Sequence, residues 1–312
     1  MNARMRSKRL PQTCPLCGKK PTIHPQFSEY WWCEACHLGW HKIYPKQIHY
    51  QASYYTATSA VASTLFSPIA HLFYKIRNRY IGRKQVDTWV DVGAGDGGYL
   101  LTVPAAKKIG VEISPAGRKL MDKLGLVTLT PQGFLRGRQT KVNVISFWHV
   151  LEHVDRPWAY LTAARRHLQS SGFVVIGVPN IDSIERMVCG RRWFHLVPAY
   201  HLWHFTPHSM TRLLEKIGFH VERIDYWSVE HHLTGVLQSF INKTSGSESV
   251  LHKLVKRSDG GVHLSLKDVG WSVFWITIGF PIVVLFWILG SLMKRPGTFV
   301  VVARPQVKQK IA

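Results

Sequence analysis

Through the middle of the chain, apolar residues come in short runs broken by glycine, proline or charge. Thr88 to Val92, Lys108 to Ser114, Val142 to Trp148 and Phe173 to Val178 each read as a strand, the second ending on the acid Glu112. Between them, Arg156-Pro157-Trp158 opens a helix running to Leu168, with proline in the first turn where its missing N–H costs nothing. Ser170-Ser171-Gly172 is expected to stop that helix. Upstream, Leu65, Ile69, Leu72, Phe73 and Ile76 fall near helical spacing between Ala60 and Ile81, with Lys75, Arg77 and Arg79 at the end. Strands alternating with helices over residues 87–230 predict an α/β fold with a doubly wound sheet.

The turn after the first strand is the most specific pattern: Val90-Asp91-Val92-Gly93-Ala94-Gly95-Asp96-Gly97-Gly98-Tyr99-Leu100. Glycine there lets the backbone take positive φ and lets a ligand approach where a Cβ would clash. Such a turn at a strand's carboxyl end suits a nucleotide-type cofactor. Gly93-x-Gly95-x-x-Gly98 also fits the dinucleotide fingerprint. Asp91 favours a ligand with a cationic amino group over one with a pyrophosphate. Glu112 is placed to accept hydrogen bonds from ribose hydroxyls, which either cofactor requires.

Four of the five cysteines form Cys14-x2-Cys17 and Cys33-x2-Cys36, separated by fifteen residues. Two such knuckles place four thiolates around one tetrahedral Zn2+, and four sulfur ligands leave no open position, so the expected role is structural. Disulfides are the alternative. No apolar core follows the basic stretch Met1 to Leu10, so no secretory signal is visible and a reducing environment is expected. His37 beside Cys36 is expected to be a bystander, and Cys189 a small buried hydrophobe. Tyr30, Trp31 and Trp32 are expected to pack on the knuckles.

The ordered blocks D-V-G-A-G-D-G-G-Y-L, G-V-E-I-S, H-V-L-E-H-V-D-R-P and G-F-V-V-I-G-V-P-N resemble a class I S-adenosylmethionine-dependent methyltransferase. Trp203-His204-Phe205-Thr206-Pro207, Leu213-Leu214 and Ile217-Gly218-Phe219 make the chain similar to methyltransferase domain family 23 in particular. The resemblance runs from Thr88 to Tyr226. It implies a Rossmann-like sheet of seven strands whose last two, His220 to Tyr226 and Gly297 to Arg304, are adjacent and antiparallel. It implies S-adenosylmethionine as methyl donor, with Asp91, Gly93, Gly95, Gly97, Glu112 and Trp148 as the residues expected to hold it. A helix before the first strand would lie over the cofactor. Two features depart from the pattern. Pro104 follows the glycine turn closely, so the helix there is expected to be truncated, and Asn143 stands where aspartate is commoner.

Methyl transfer from a sulfonium is an in-line displacement for which the protein mostly supplies approach geometry and exclusion of water. A hydroxyl acceptor also needs a base. His149, directly after the strand Val142 to Trp148, is one candidate. His204, in a loop that by resemblance borders the acceptor, is the other. Glu152-His153 is expected to make a structural hydrogen bond. Transfer to carbon or nitrogen can proceed with no base.

Val269 to Met293 contains no charged residue and is long enough for a transmembrane helix, for which about 20 residues suffice. A single span would separate two strands that must pair. Gly279 and Pro281 break the segment, and both flanks are basic. The preferred expectation is a kinked, re-entrant or interfacial insertion with Trp271, Trp275 and Trp287 as interface anchors. A true span and a soluble, oligomer-forming hairpin stay open.

The formal net charge of +22 favours anionic partners such as lipid headgroups or nucleic acid. The expected organisation is a zinc-ribbon module (1–45), a helical extension (46–86), the donor domain (87–230), a basic and apolar helical insertion (231–297), and a final strand and tail (298–312). The leading expectation is an enzyme that methylates a small or lipid-linked acceptor, such as a glycan or lipid precursor, at the cytoplasmic face of a membrane. Two others stand beside it. One is a nucleic-acid methyltransferase using the basic zinc module, although Val178-Pro179-Asn180 does not match an N-P-P-[YF] acceptor motif. The other is a non-catalytic membrane-bound protein that keeps the cofactor fold.

Overall fold

The computed structural model of the chain describes residues 10–44, 68, 71–80, 85–137, 141–247 and 265–306. Seven strands form the main sheet: β4 (Val86–Val92), β5 (Ala105–Val111), β6 (Val127–Leu129), β7 (Val142–Trp148), β8 (Leu168–Pro179), β10 (Phe219–Asp225) and β11 (Thr298–Pro305). Their order is β10-β11-β8-β7-β4-β5-β6. β4 to β8 run parallel, while β11 is antiparallel to both β8 and β10. The chain leaves β4 for β5 on one side and returns to β7 on the other. The carboxyl end of β4 is therefore the switch point where α/β sheets bind ligands.

A second sheet joins the amino-terminal cysteine segment to the main domain. β1 (Thr22–Ile23), β2 (Tyr30–Cys33) and β3 (Leu38–His41) form an antiparallel ladder, and β9 (Trp203–His204) pairs with β3 as its fourth strand. The indoles of Trp40 and Trp203 stack at 6.4 Å, and Trp40 Nε1 donates to Pro11 O at 2.8 Å. Cys14, Cys33, Cys36 and Leu38 belong to the same continuous core as Val90, Phe147, Leu213 and Phe299. Each large apolar side chain buried in this seam contributes about 1.5–3 kcal/mol. Tyr30 is fully buried, as expected for a knuckle residue, while Trp31 and Trp32 are half-buried.

Two strand and helix expectations need adjustment. Ser170-Ser171-Gly172 does not form a separate stop, because β8 starts at Leu168, where the helix Pro157–His167 ends. The physical reason lies in Gly172. A Cβ there would stand 2.9 Å from the carbonyl oxygens of Val142 and Asn143, so glycine lets the two backbones touch where the β7–β8 register shifts. Of the helix expected over residues 60–81, residues 71–77 are helical and Asn78–Tyr80 make a 3-10 turn. Most of the remainder falls outside the described residues.

The truncated helix after the glycine turn is present as Gly98–Thr102, ending at Val103 before Pro104. Helix Pro207–Ile217 is closed at its start by a reciprocal Thr206/Ser209 capping box. It is closed at its end by Gly218 at φ 91°, a left-handed position that favours glycine.

The apolar segment is two helices, Leu266–Ile276 and Phe280–Leu292, bent by 65° at the break. Among the described residues no single helix is long and apolar enough to cross a membrane. Pro281 in the first turn of the second helix explains the break, since it has no N–H to continue the ladder from the first. Trp275 Nε1 donates to Thr244 Oγ1 at 3.0 Å and its ring packs on Phe240, while Trp287 packs on Trp227. Both indoles, expected as interface anchors, are thus engaged by the protein itself.

Cys189 is buried and free, its thiol pushed up to about 12 by burial. Nearby, Glu185 is fully buried, with Oε1 accepting from Trp193 Nε1 at 2.7 Å and Oε2 without a partner. Burial pushes its carboxyl up to about 8, against the Trp193 hydrogen bond. A carboxyl raised in the folded state contributes stability that is present below its unfolded value and lost as pH rises through the folded one. Glu185→Gln keeps an acceptor for Trp193 and removes the charge. It is expected to gain stability over wild type from about pH 4.5 upward and to level off above pH 8 at a few kcal/mol. Urea melts at pH 5, 7 and 9 check this, and equal stabilisation at all three would contradict it.

Candidate active site

The glycine turn lies at the carboxyl end of β4, and Gly93, Gly95 and Gly97 all have positive φ (79°, 62° and 85°). A Cβ on Gly93 would come 2.4 Å from Val150 Cγ2, so the turn presses against the segment that follows β7. The next βα turn is as close, since a Cβ on Gly117 would meet Gly95 O at 2.6 Å. Glu112, just past β5, is buried and ties these turns together. Its Oε2 accepts from Gly95 N at 2.9 Å and its Oε1 from Ser114 N at 2.7 Å.

Asp91 is buried at the register position opposite Ser146 of β7 and accepts from Ser146 Oγ at 2.5 Å. Ser146 accepts in turn from Trp89 Nε1 at 2.8 Å. Burial pushes the Asp91 carboxyl up to about 7, with the nearby Glu112 charge adding to it. The Ser146 hydrogen bond and the Arg77 charge act in the other direction. A buried carboxylate poised near neutrality is one that a cationic ligand group would ionise.

Over this floor lies the end of the helix expected to cover the cofactor, in a cluster whose pairing the sequence did not reveal. The Arg77 guanidinium lies 5.0 to 5.3 Å from the rings of Tyr74, Tyr99 and Trp148. It pairs bidentately with Glu230 at 2.6 and 2.5 Å, and its Nη2 lies 3.2 Å from His231 Nε2. Trp148, expected near the donor, is buried between Tyr80 and Tyr99. The helical residues 71–77 and the turn Val229–Leu233 therefore meet above the end of β7. Ser146 had a visible signal, a lone hydroxyl within an apolar strand. The pairing of Arg77 with Glu230, 153 residues away, had none.

His149 follows β7 with φ 53°, a strained value for a non-glycine residue. Its ring lies 4.1 Å from that of His231 and 5.6 Å from that of His195, and its Nε2 is buried without a hydrogen-bond partner. His149 thus meets the Arg77–Glu230 pair through His231. His204 is placed differently. It lies in β9, its ring against Tyr30 and Trp193, and burial depresses its basicity to about 3. His153 Nδ1 lies 3.2 Å from Tyr200 O, the structural hydrogen bond expected for it.

At the knuckles, the sulfur atoms of Cys14, Cys17, Cys33 and Cys36 all lie within 4.8 Å of one another, a set that could hold a metal ion. Burial opposes ionisation of Cys17, but the Lys19 backbone hydrogen bond and the neighbouring thiols bring it down to about 7. Burial pushes Cys33 up to about 11. His37 is outside this set, and its carbonyl accepts from Thr206 Oγ1 at 3.0 Å.

Comparison with known families decides the assignment, since the family described as methyltransferase domain matches residues 62–224, just over half of the chain. The chain belongs to that family. It is a class I S-adenosylmethionine-dependent methyltransferase, and its sheet order is that of the Rossmann-like methyltransferase fold. No curated protein matches the chain in sequence.

Solved structures with a similar fold include a complex between the Haloferax volcanii Trm112 methyltransferase activator and a putative methyltransferase. That match has 12% identity and a TM-score of 0.50, covering 84% of this chain and 100% of the other. A SAM-dependent methyltransferase from Archaeoglobus fulgidus is 19% identical with a TM-score of 0.46, covering 75% of this chain and 93% of its own. A possible histamine N-methyltransferase from Thermotoga maritima is 20% identical with a TM-score of 0.42, covering 52% and 75%.

Proposed function

We propose that this methyltransferase acts on a small or lipid-linked acceptor, such as a glycan or lipid precursor, at the cytoplasmic face of a membrane. The observation that carries the reading is the bent helical pair 266–292. Its residues Leu266, Val273, Ile278, Leu285 and Leu292 are all at least half exposed, with Ile278 at 76%. An apolar surface of this extent on two adjacent helices marks an interaction site. The legs are about 16 and 20 Å long at 1.5 Å per residue, short of a hydrocarbon core of about 30 Å, which favours lying in the interface. A net charge of +22 supports anionic headgroups as the partner.

In this reading Asp91 receives the donor's amino group, Glu112 its ribose, and Gly93, Gly95 and Gly97 leave room for its backbone-close approach beside Trp148. S-adenosylmethionine supplies an activated methyl group, and the chain's own residues bind it, orient it and exclude water. His149 would take the proton of a hydroxyl acceptor. Four clustered cysteines free of disulfides suit a structural Zn2+ in a reducing compartment.

The test combines calorimetry with vesicle flotation. The chain is expected to bind S-adenosylmethionine and to float with phosphatidylglycerol vesicles at low salt, but not with phosphatidylcholine alone. Ile278→Glu and Leu285→Glu are each expected to weaken vesicle binding roughly tenfold or more while leaving donor affinity unchanged. Absence of donor heat would sink the donor assignment. Failure to float, or flotation indifferent to both substitutions, would sink the membrane assignment. Tight, salt-dependent RNA binding in its place would favour a nucleic-acid acceptor.

A further inference from the structure

We propose that Glu152, His153 and His201 form a second metal site, separate from the cysteines, that takes a divalent transition-metal cation. One ligand atom from each lies within 4.8 Å of the other two. Glu152 and His153 belong to the turn after β7, and His201 comes from the loop before β9, 48 residues later. Glu152's own backbone joins the two segments, its carbonyl accepting from Leu202 N at 2.7 Å and from Trp203 N at 3.2 Å.

Two observations point to a cation. The first is the Glu152 carboxyl group, which is completely buried and receives no well-aligned hydrogen bond at either oxygen. A buried carboxylate without compensation costs several kcal/mol, and such groups are found paired or bound to metal. The Nδ1 of His149 lies 3.1 Å from Oε1.

The second observation is the tautomer of the two histidines. His153 Nδ1 lies 3.2 Å from Tyr200 O, and His201 Nδ1 lies 2.7 Å from His195 O. A carbonyl oxygen only accepts, so both Nδ1 atoms must carry the proton. In a neutral imidazole the lone pair is then on Nε2. Histidines that donate one ring N–H to a backbone carbonyl and offer the other nitrogen are the usual metal ligands.

Two neutral nitrogens and one carboxylate suit Zn2+, Co2+, Fe2+ or Mn2+ better than Mg2+ or Ca2+, which prefer oxygen throughout. Three protein ligands leave the coordination sphere incomplete, with room for water or another oxygen donor. The competing account is that the contact with His149 satisfies Glu152 with no metal present.

Co2+ titration of the chelator-stripped full chain separates these accounts. Thiolate charge-transfer absorption is expected to saturate at one equivalent. A second equivalent then adds only weak visible bands of a nitrogen and oxygen site. In water the loaded wild type is expected to show two paramagnetically shifted imidazole N–H resonances that vanish in D2O, one for each Nδ1–H. Glu152→Gln and His201→Gln are each expected to lose the second equivalent while S-adenosylmethionine affinity, read by calorimetry, stays within about twofold.

Binding that ends with the thiolate equivalent would overturn the proposal, as would a second equivalent that persists in both variants. Should a variant fail to fold, the wild-type spectrum decides, because absence of the two N–H resonances overturns the site by itself. Their presence without thiolate bands would support it and remove the zinc assignment of the cysteines alone.

Discussion

If the cysteine knuckles hold the proposed Zn2+, chelating it, or replacing Cys33 by Ser, is expected to lower the melting temperature by roughly 10 °C or more. A structural Zn2+ contributes about 10–16 kcal/mol of apparent folding free energy at pH 7. A whole domain is stable by only about 5–15 kcal/mol. The damage would not stop at residue 45, because the knuckles are bonded into the methyltransferase domain. Lys216 Nζ donates to Pro15 O and Leu16 O at 3.0 Å, Arg212 Nη1 donates to Ala35 O at 3.0 Å, and β9 is hydrogen-bonded to β3. Limited proteolysis after chelation is therefore expected to cut near residues 193–206 as well as in the knuckles. If the chelated chain melts unchanged and its four thiols are alkylated equally fast with and without chelator, no structural metal is present.

Asp91→Asn is expected to make the chain more stable above pH 7 while weakening S-adenosylmethionine binding by roughly 10- to 100-fold. The stability gain follows from burial. With the folded carboxyl raised to about 7, ionisation opposes folding as pH rises from about 4 to 7, and the full cost of a few kcal/mol is present above that. Asparagine avoids it and can still accept from Ser146. The affinity loss follows from the donor's ammonium group, whose charge-assisted hydrogen bond to a carboxylate is worth about 1.5–3 kcal/mol. In the wild type, donor affinity should rise as pH increases through 7, and in the variant that dependence should flatten. Melts and calorimetry at pH 6 and 8 measure both. A variant less stable than wild type at pH 8 would show that Asp91 is compensated in the folded chain.

These expectations rest on parts of the molecule that the sequence exposed unequally. Strands β4, β7 and β11 were legible because each is largely apolar and bounded by glycine or charge, as an interior strand of a sheet covered on both faces requires. The glycine turn was legible because positive φ leaves few other residues. Local pattern failed where a site is assembled from distant segments. β9 is two residues long, too short to show alternation, and is a strand only because β3 lies beside it. Arg77 looked like one of several cations closing a helix, and its place among three rings depends on Glu230. His204 drew attention through its motif, yet its ring is packed between Tyr30 and Trp193. The clustering of Glu152 and His153 with His201 required the loop before β9 to fold back on its own distant start.

β10 ends and β11 begins at the same border of the sheet, since Asp225 pairs with Val300 and Thr298 with Pro179. The parallel strands also end there, so the bent helical pair joins the sheet on the side that carries the glycine turn. On the proposed membrane reading, a long-tailed acceptor would keep its tail in the lipid and bring its head to the methyl group without leaving the bilayer. The enzyme would work as a docked reader of one leaflet, and the distance from hairpin to turn would act as a ruler for the length of head group it can reach.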